Sequence, residues 1–97
     1  MKDAIHQIDE IIHQKIRLGI MTMLAAEGSV EFVQLKERLD LTDGNLSSHI
    51  SLLEKKEYLT VQKAFAGKRP QTTLKITRRG RLALKSYLEV LKKIIEE

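Results

Sequence analysis

Apolar residues recur every three or four positions through the first 27 residues, which is the spacing of one helix face. Polar residues fill the opposite side, and the stripe consists of Ile5, Ile8, Ile12, Ile16 and Ile20. Gly28 is a suitable end because glycine readily adopts the left-handed conformation that terminates many helices. The pattern therefore predicts a single N-terminal helix over residues 1–28, with more apolar surface in its first half than one short neighbour can cover.

A shorter helix is predicted over residues 32–39, after an extended piece at residues 29–31. Phe32, Leu35 and Leu39 share one face of that helix. A tight turn then separates it from the next periodic segment.

The third helix is predicted to begin at Thr42 and to run to about Lys56. The Thr42 hydroxyl is placed to accept a backbone N–H from the first turn, as an N-cap does. Leu46, Ile50 and Leu53 recur at helical spacing and form the buried stripe. Two short helices joined by a turn of this length form a helix-turn-helix.

The apolar period changes from 3.6 to 2 in two runs, residues 58–62 and 73–77. Gly67 and Pro70 lie between these runs, so a β-hairpin is predicted with its loop at residues 66–71.

A last helix is predicted after Thr77, over residues 78–97. Its apolar positions cover a broader arc than one subunit needs to bury, and they include Leu82, Leu84, Leu88, Leu91 and Ile95.

These elements predict a single domain over residues 1–97, mostly α with a small β-hairpin. An N-terminal helix (1–28) precedes a helix-turn-helix and hairpin (29–77), and a C-terminal helix (78–97) follows. Its 42% hydrophobic and 31% charged residues are typical of a globular protein.

Composition also narrows the classes of function. The absence of cysteine excludes disulfides and thiol chemistry. No run approaches the ~20 apolar residues of a membrane span, so we expect a soluble cytoplasmic protein. The sequence shows neither a glycine-rich phosphate loop nor a nucleophile beside a base. We therefore expect no enzymatic activity, no cofactor and no metal site.

Charge is unevenly distributed along the chain. Residues 55–85 hold ten basic residues and one acidic residue, a net charge of +9, whereas the rest of the chain carries −5. A basic segment of this kind suits a polyanionic partner, and the alternative is an ordinary solvated surface.

The element order and several spaced motifs resemble the winged helix-turn-helix of MarR- and ArsR-like transcriptional regulators. The motifs are Leu35-x-x-x-Leu39-x-Leu41-Thr42-x-x-x-Leu46-Ser47-x-His49-Ile50-x-x-Leu53-Glu54, Tyr58-Leu59, and Thr73-Leu74-Lys75-Ile76-Thr77-x-x-Gly80-Arg81. Residues 42–47, Thr-Asp-Gly-Asn-Leu-Ser, are similar to a segment of the small MarR-like regulators. The resemblance implies a three-helix core plus a wing, with double-stranded DNA as the partner.

The helix at about 42–56 is then the recognition helix, which enters the major groove. With its apolar stripe inward, its outward residues are small and polar, namely Thr42, Asp43, Gly44, Asn45, Ser47, Ser48 and Ser51. Asn45 can bond to adenine, and this face has no Arg or Lys for guanine. We therefore expect modest base readout and reliance on phosphate contacts and DNA shape.

The wing, at about residues 66–71, is expected to contact phosphates or the minor groove through the adjacent cations Lys68 and Arg69. A plain solvated hairpin is the alternative. The candidate DNA-binding residues of the hairpin are Lys63, Lys68, Arg69, Gln71 and Lys75.

The surplus apolar faces of the first and last helices predict a homodimer. The expected interface residues are Ile5, Ile8, Ile12, Leu84, Leu88, Leu91 and Ile95. The function that follows is a sequence-specific transcriptional regulator, a repressor by family tendency, that binds a near-palindromic operator.

Two alternatives stay open. One is a winged-helix protein-interaction or assembly module that does not bind DNA, which would not need the basic segment. The other is a ligand sensor, and for its small-molecule effector the sequence identifies no pocket.

The sequence also allows predictions for Glu57 and His49. Glu57 stands where the family usually has glycine, so a positive φ there would be strained. His49 precedes the inward Ile50, and we expect it to be half-buried and to orient the helix.

Overall fold

The computed structural model describes residues 2–96 of the chain. It confirms the mostly α fold with a hairpin wing, and the elements of this span are α1 (Lys2–Ile5), α2 (Lys15–Glu27), β1 (Ser29–Glu31), α3 (Phe32–Arg38), α4 (Asp43–Lys55), β2 (Leu59–Ala66), β3 (Arg69–Ile76) and α5 (Arg78–Glu96). Of the helices between residues 2 and 96, none combines the length and hydropathy that a bilayer crossing requires.

The prediction of one helix over residues 1–28 is wrong. Nine residues without a regular helix separate α1 from α2. Asp9 turns the chain there, because its Oδ1 accepts hydrogen bonds from the backbone N–H groups of Ile11 (2.8 Å) and Ile12 (3.1 Å). A side-chain acceptor of this kind offers the backbone an alternative to helical bonds, and it overrides the apolar period.

Gln14 completes the interruption by capping α2. Its Oε1 accepts from the N–H groups of Ile16 and Arg17, each at 2.9 Å, while its own backbone is extended. These bonds satisfy two of the N–H groups that a helix start leaves unpaired. The chain therefore starts a new helix at Lys15.

The helix-turn-helix is confirmed. The bounds of α3 and α4 lie within one residue of the predicted ones. Thr42 caps α4 as predicted, with its Oγ1 accepting the Asn45 N–H at 3.2 Å. Leu46, Ile50 and Leu53 are all buried, so the register of α4 is fixed against the core.

The three strands form an antiparallel sheet in the order β1-β3-β2. The hairpin is longer than predicted, because β2 and β3 pair up to Ala66 and Arg69 and leave a two-residue turn at residues 67–68. Gly67 has φ +70, as the first position of a type II′ turn requires. Pro70 is tolerated within β3 because β1 pairs only with residues 73–75, so no neighbouring strand needs its missing N–H.

The core brings α2, α3, α4 and the sheet together. Its fully buried side chains include Ile20, Leu24, Leu35, Leu46, Leu53, Leu59 and Leu74. On the far side, α5 adds Leu84 and Tyr87. At its N-terminus, Gly80 lies against the carbonyl of Tyr58 so closely that any larger residue would clash there.

Two residues that were predicted at a dimer interface are instead buried within one chain. Ile12 is 0% exposed, because the segment after α1 folds back onto the core, and Leu84 is 6% exposed on the inward face of α5. Neither can contact a second copy. Ile8 and Leu91 are partly buried against the core. The predicted interface residues that stay exposed are Ile5, Leu88 and Ile95.

Candidate nucleic-acid interface

The outward face of α4 is open to solvent. All seven residues predicted there are exposed: Thr42, Asp43, Gly44, Asn45, Ser47, Ser48 and Ser51. The Ser48 hydroxyl donates to the Gly44 carbonyl at 3.1 Å, so it is partly engaged within the helix. Asn45, Ser47 and Ser51 are the polar side chains best placed to meet a ligand on this face.

Asp43 would repel a polyanion if it stood alone, but it is paired. The Nζ of Lys36, on α3, lies 3.0 Å from the Asp43 carboxylate. The pair offsets the negative charge at the start of α4. Sequence reasoning did not assign Lys36 a role, because the turn between α3 and α4 brings these residues together only in three dimensions.

Arg17, in the first turn of α2, links the segment before α2 to α4. The Nε of Arg17 donates to the Ile11 carbonyl at 2.6 Å, and its Nη1 lies 3.1 Å from Nδ1 of His49. Burial, and then the charge of Arg17, lower the pKa of His49 below its ordinary value. A neutral His49 can accept this bond at Nδ1, so the half-buried histidine helps to orient α4, as predicted.

The same segment reaches the start of the hairpin. The hydroxyl of Tyr58 donates to Oδ2 of Asp9 at 2.5 Å. Burial, and then this bond, raise the pKa of Tyr58 to about 12. Asp9 therefore turns its own segment with one carboxylate oxygen and binds the base of the wing with the other.

The hairpin projects its tip into solvent. Lys68 and Arg69 are both exposed at this tip. Side chains alternate between the two faces of a strand, and Val61, Lys63 and Leu74 fall on the face that meets the core. The residues on the opposite face include Arg69, Gln71 and Lys75.

Lys63 lies between the wing and α4. It lines a groove of about 390 Å³ between the hairpin and α4, together with Ser47 and Ser51. Glu54 is an acidic residue on the same groove. The exposed face of α4 and the Lys63 side of the hairpin therefore line one groove.

Two predicted residues belong elsewhere. The amide of Gln71 donates to Oε1 of Glu31 at 2.7 Å, which fixes the hairpin against β1 rather than leaving the amide free. Lys75 pairs with Thr60 and Ser29 at the base of the sheet, on the face away from α4. It lies six residues from Arg69, or about 20 Å along the strand. Lys75 is thus outside this surface, as the alternation with buried Leu74 already indicates.

Comparison with known proteins gives a consistent result. The sequence matches the family described as "Winged helix DNA-binding domain" over residues 16–95. An uncharacterised protein of Methanocaldococcus jannaschii is 38% identical over 79 residues, which cover 81% of this chain and 86% of that protein.

Solved structures are also similar to this chain. A transcriptional regulator homologue from Pyrococcus horikoshii OT3 has a TM-score of 0.87 and 37% identity, and the match covers 98% of this chain and 92% of that one. AbfR in its overoxidized form, solved bound to DNA, shares the fold with a TM-score of 0.68 and 19% identity over 77% of this chain and 54% of its own. Structural neighbours of this chain include transcriptional regulators of the MarR type.

Proposed function

Because the chain belongs to the winged-helix DNA-binding domain family, we propose that it is a sequence-specific transcriptional regulator that binds double-stranded DNA through α4 and the wing. One observation carries the proposal: Lys63, on the strand that leads to the cationic tip, lines one groove with Ser47 and Ser51 of α4. A protein-interaction module would need no such arrangement of cations beside a recognition helix.

The proposed binding mode places α4 in the major groove and the wing on the adjacent backbone. Asn45 and the serines of α4 contact base edges and phosphates, and Lys63, Lys68 and Arg69 contact phosphates. With the Asp43 charge offset by Lys36, the start of α4 can approach the duplex. Since small polar side chains dominate this face, phosphate contacts and DNA shape contribute more than base hydrogen bonds.

A homodimer completes the proposal. Leu88 and Ile95, seven residues apart on one side of α5, are 50% and 79% exposed, and Ile5 of α1 is 46% exposed. A two-fold axis through this apolar surface would place two recognition helices about 34–36 Å apart, so the operator is near-palindromic. The resemblance to MarR- and ArsR-like regulators favours repression as the outcome of binding.

The test is the affinity for a labelled mixed-sequence duplex of about 30 base pairs, measured by anisotropy across a salt series. We expect log K to fall linearly with log salt, by about 0.9 per phosphate contacted. The double variant Lys68→Ala/Arg69→Ala should bind all sequences more weakly and flatten the slope by roughly 1.8, because two phosphate contacts are lost.

The matched control is Lys92→Ala/Lys93→Ala, which removes the same charge from the exposed end of α5. Its salt slope should stay close to that of the parent protein. Equal slopes for the two double variants would remove the wing from the mechanism. Absence of binding at low salt would contradict the proposed function and favour a protein partner.

A further inference from the structure

One aromatic residue of the wing is exposed to solvent rather than packed in the hydrophobic core. Phe65 is 75% exposed, near the end of β2. The other three aromatic residues of the chain lie in or against the hydrophobic core: Phe32, Tyr58 and Tyr87. Core packing therefore accounts for these three aromatic residues, but it does not account for Phe65.

Phe65 has an apolar neighbour across the hairpin. It pairs directly with Pro70 of β3, one step behind the Ala66–Arg69 pair that flanks the turn. Directly opposite residues on an antiparallel pair project to the same face and lie close together. By alternation that face is also the face of Val61 and Lys63, so it continues the groove beside α4.

The charged residues near the Phe65–Pro70 pair indicate which kind of partner it binds. Lys63 lies two residues before Phe65 on the same face, and Lys68 and Arg69 lie just beyond it at the tip. The sequence contains no acidic residue between Glu57 and Glu89. The fold brings two others near: Glu31, which accepts from Gln71, shares a pocket with Pro70, and Glu54 lies farther down the Lys63 groove. An apolar pair surrounded by cations suits a polyanion that also offers an apolar slot, and the minor groove of DNA has both properties.

We propose that Phe65 and Pro70 form an apolar wedge that enters the minor groove, partly unstacks a base step and bends the duplex. Phenylalanine and proline are among the residues that architectural DNA-binding proteins use in this way. The wedge projects on the same side as Ser47 and Ser51, so a duplex lying against α4 lies within its reach. This inference rests on the proposed DNA binding.

The experiment compares Phe65→Ala, Phe65→Leu and the parent protein on a duplex of about 20 base pairs that carries a donor and an acceptor dye at its ends. The parent should increase energy transfer between the ends, because bending brings them closer. Phe65→Ala should lose this increase and bind about tenfold more weakly. Its salt slope should not change, since no charge is removed. Phe65→Leu should keep most of the bend.

Thr60→Ala is the matched control, because Thr60 is an exposed residue of the same strand on its opposite face, paired with Lys75 at the base of the sheet. It should leave both affinity and bend unchanged. If Phe65→Ala behaves like this control while Lys68→Ala/Arg69→Ala still weakens binding, the wedge is overturned and the proposed function stands. Weaker binding with an unchanged bend would also overturn it. Failure of the parent protein to bind the duplex would overturn both.

Discussion

At the scale of single residues, the end of α4 contains local strain. Glu57 has φ +62, in the left-handed region that favours glycine. Its N–H donates to the Glu54 carbonyl at 2.9 Å, and the next N–H, of Tyr58, donates to the Leu53 carbonyl at 3.0 Å. These two bonds form a Schellman motif, in which the strained position is usually glycine. Glu57 thus occupies the conformation in which a residue other than glycine was expected to be strained.

Replacing Glu57 with glycine should stabilise the protein. A left-handed conformation costs a non-glycine residue about 1–2 kcal/mol, and the greater freedom of unfolded glycine offsets part of this gain. We expect a net gain of about 1 kcal/mol, or roughly 4–8 °C in Tm. Removal of a negative charge from the C-terminal end of α4 acts in the same direction. Thermal and urea unfolding would measure the difference.

The neighbouring residue provides the control for this substitution. Lys56 has φ −81, an ordinary helical value, so Lys56→Gly has no strain to relieve and should destabilise the protein by about 1 kcal/mol. If both glycine variants were destabilised equally, the left-handed conformation of Glu57 would not be a source of strain.

At the scale of elements, local signals in the sequence predict those parts of the fold that depend on neighbouring residues. The apolar periods, the Thr42 cap and the glycine of the hairpin turn predict α3, α4 and the wing correctly. The N-terminal helix fails because Asp9 and Gln14 bind nearby backbone N–H groups more effectively than a continuous helix would. Periodicity contains no information about such competition.

The partners that position the candidate site are separated along the chain, which explains why they were not predicted. Arg17 meets His49 across 32 positions, and Asp9 meets Tyr58 across 49. Side-chain pairs of this kind follow from the packing of elements against one another and have no local signature. Burial of Ile12 was missed for the same reason, because the chain folds back only after the helix is interrupted.

Burial of Tyr58, together with its hydrogen bond to Asp9, predicts a pH dependence. The pKa of Tyr58 is about 12 in the folded protein, against 10.0 ordinarily, so the folded state retains the proton after the unfolded state has lost it. The stabilisation that the protonated Tyr58 hydroxyl contributes is fully present below pH 10, and it is lost as the pH rises from 10 to 12. In Tyr58→Phe the thermal midpoint should fall less steeply over this range.

The comparison between wild type and Tyr58→Phe cancels the effect of groups that both proteins share, including Tyr87, whose pKa is also raised by burial. Phenolate absorbance should lose its contribution from Tyr58 in the variant. Parallel loss of stability in the two proteins between pH 10 and 12 would show that burial and the bond to Asp9 do not raise the pKa of Tyr58 in the folded protein.

At the scale of the whole molecule, the proposed DNA surface and the proposed dimer surface occupy different elements. α4 and the wing present polar and basic groups, whereas α5 has two apolar faces. One face of α5 is buried in the chain's own core, and a neighbouring stripe leaves Leu88 and Ile95 exposed. This separation allows the dimer to be tested without altering any proposed DNA contact.

Leu88→Glu should convert the dimer to a monomer, because it places a charge in the centre of the proposed interface. Leu88 is 50% exposed in the single chain, so the fold should persist. Val33→Glu makes the same kind of change at a residue 53% exposed on α3, and should remain a dimer. Sedimentation at micromolar concentration would measure both, with circular dichroism to confirm folding.

Loss of the dimer should also reduce affinity for an operator with two half-sites, because the second half-site is then bound from solution rather than by a linked subunit. A fall of roughly 100-fold is expected for Leu88→Glu on such a site, and little change on a single half-site. A wild-type protein that sediments as a monomer would contradict the dimer itself. A Leu88→Glu protein that remains dimeric would show that the subunits meet through a surface other than this face of α5.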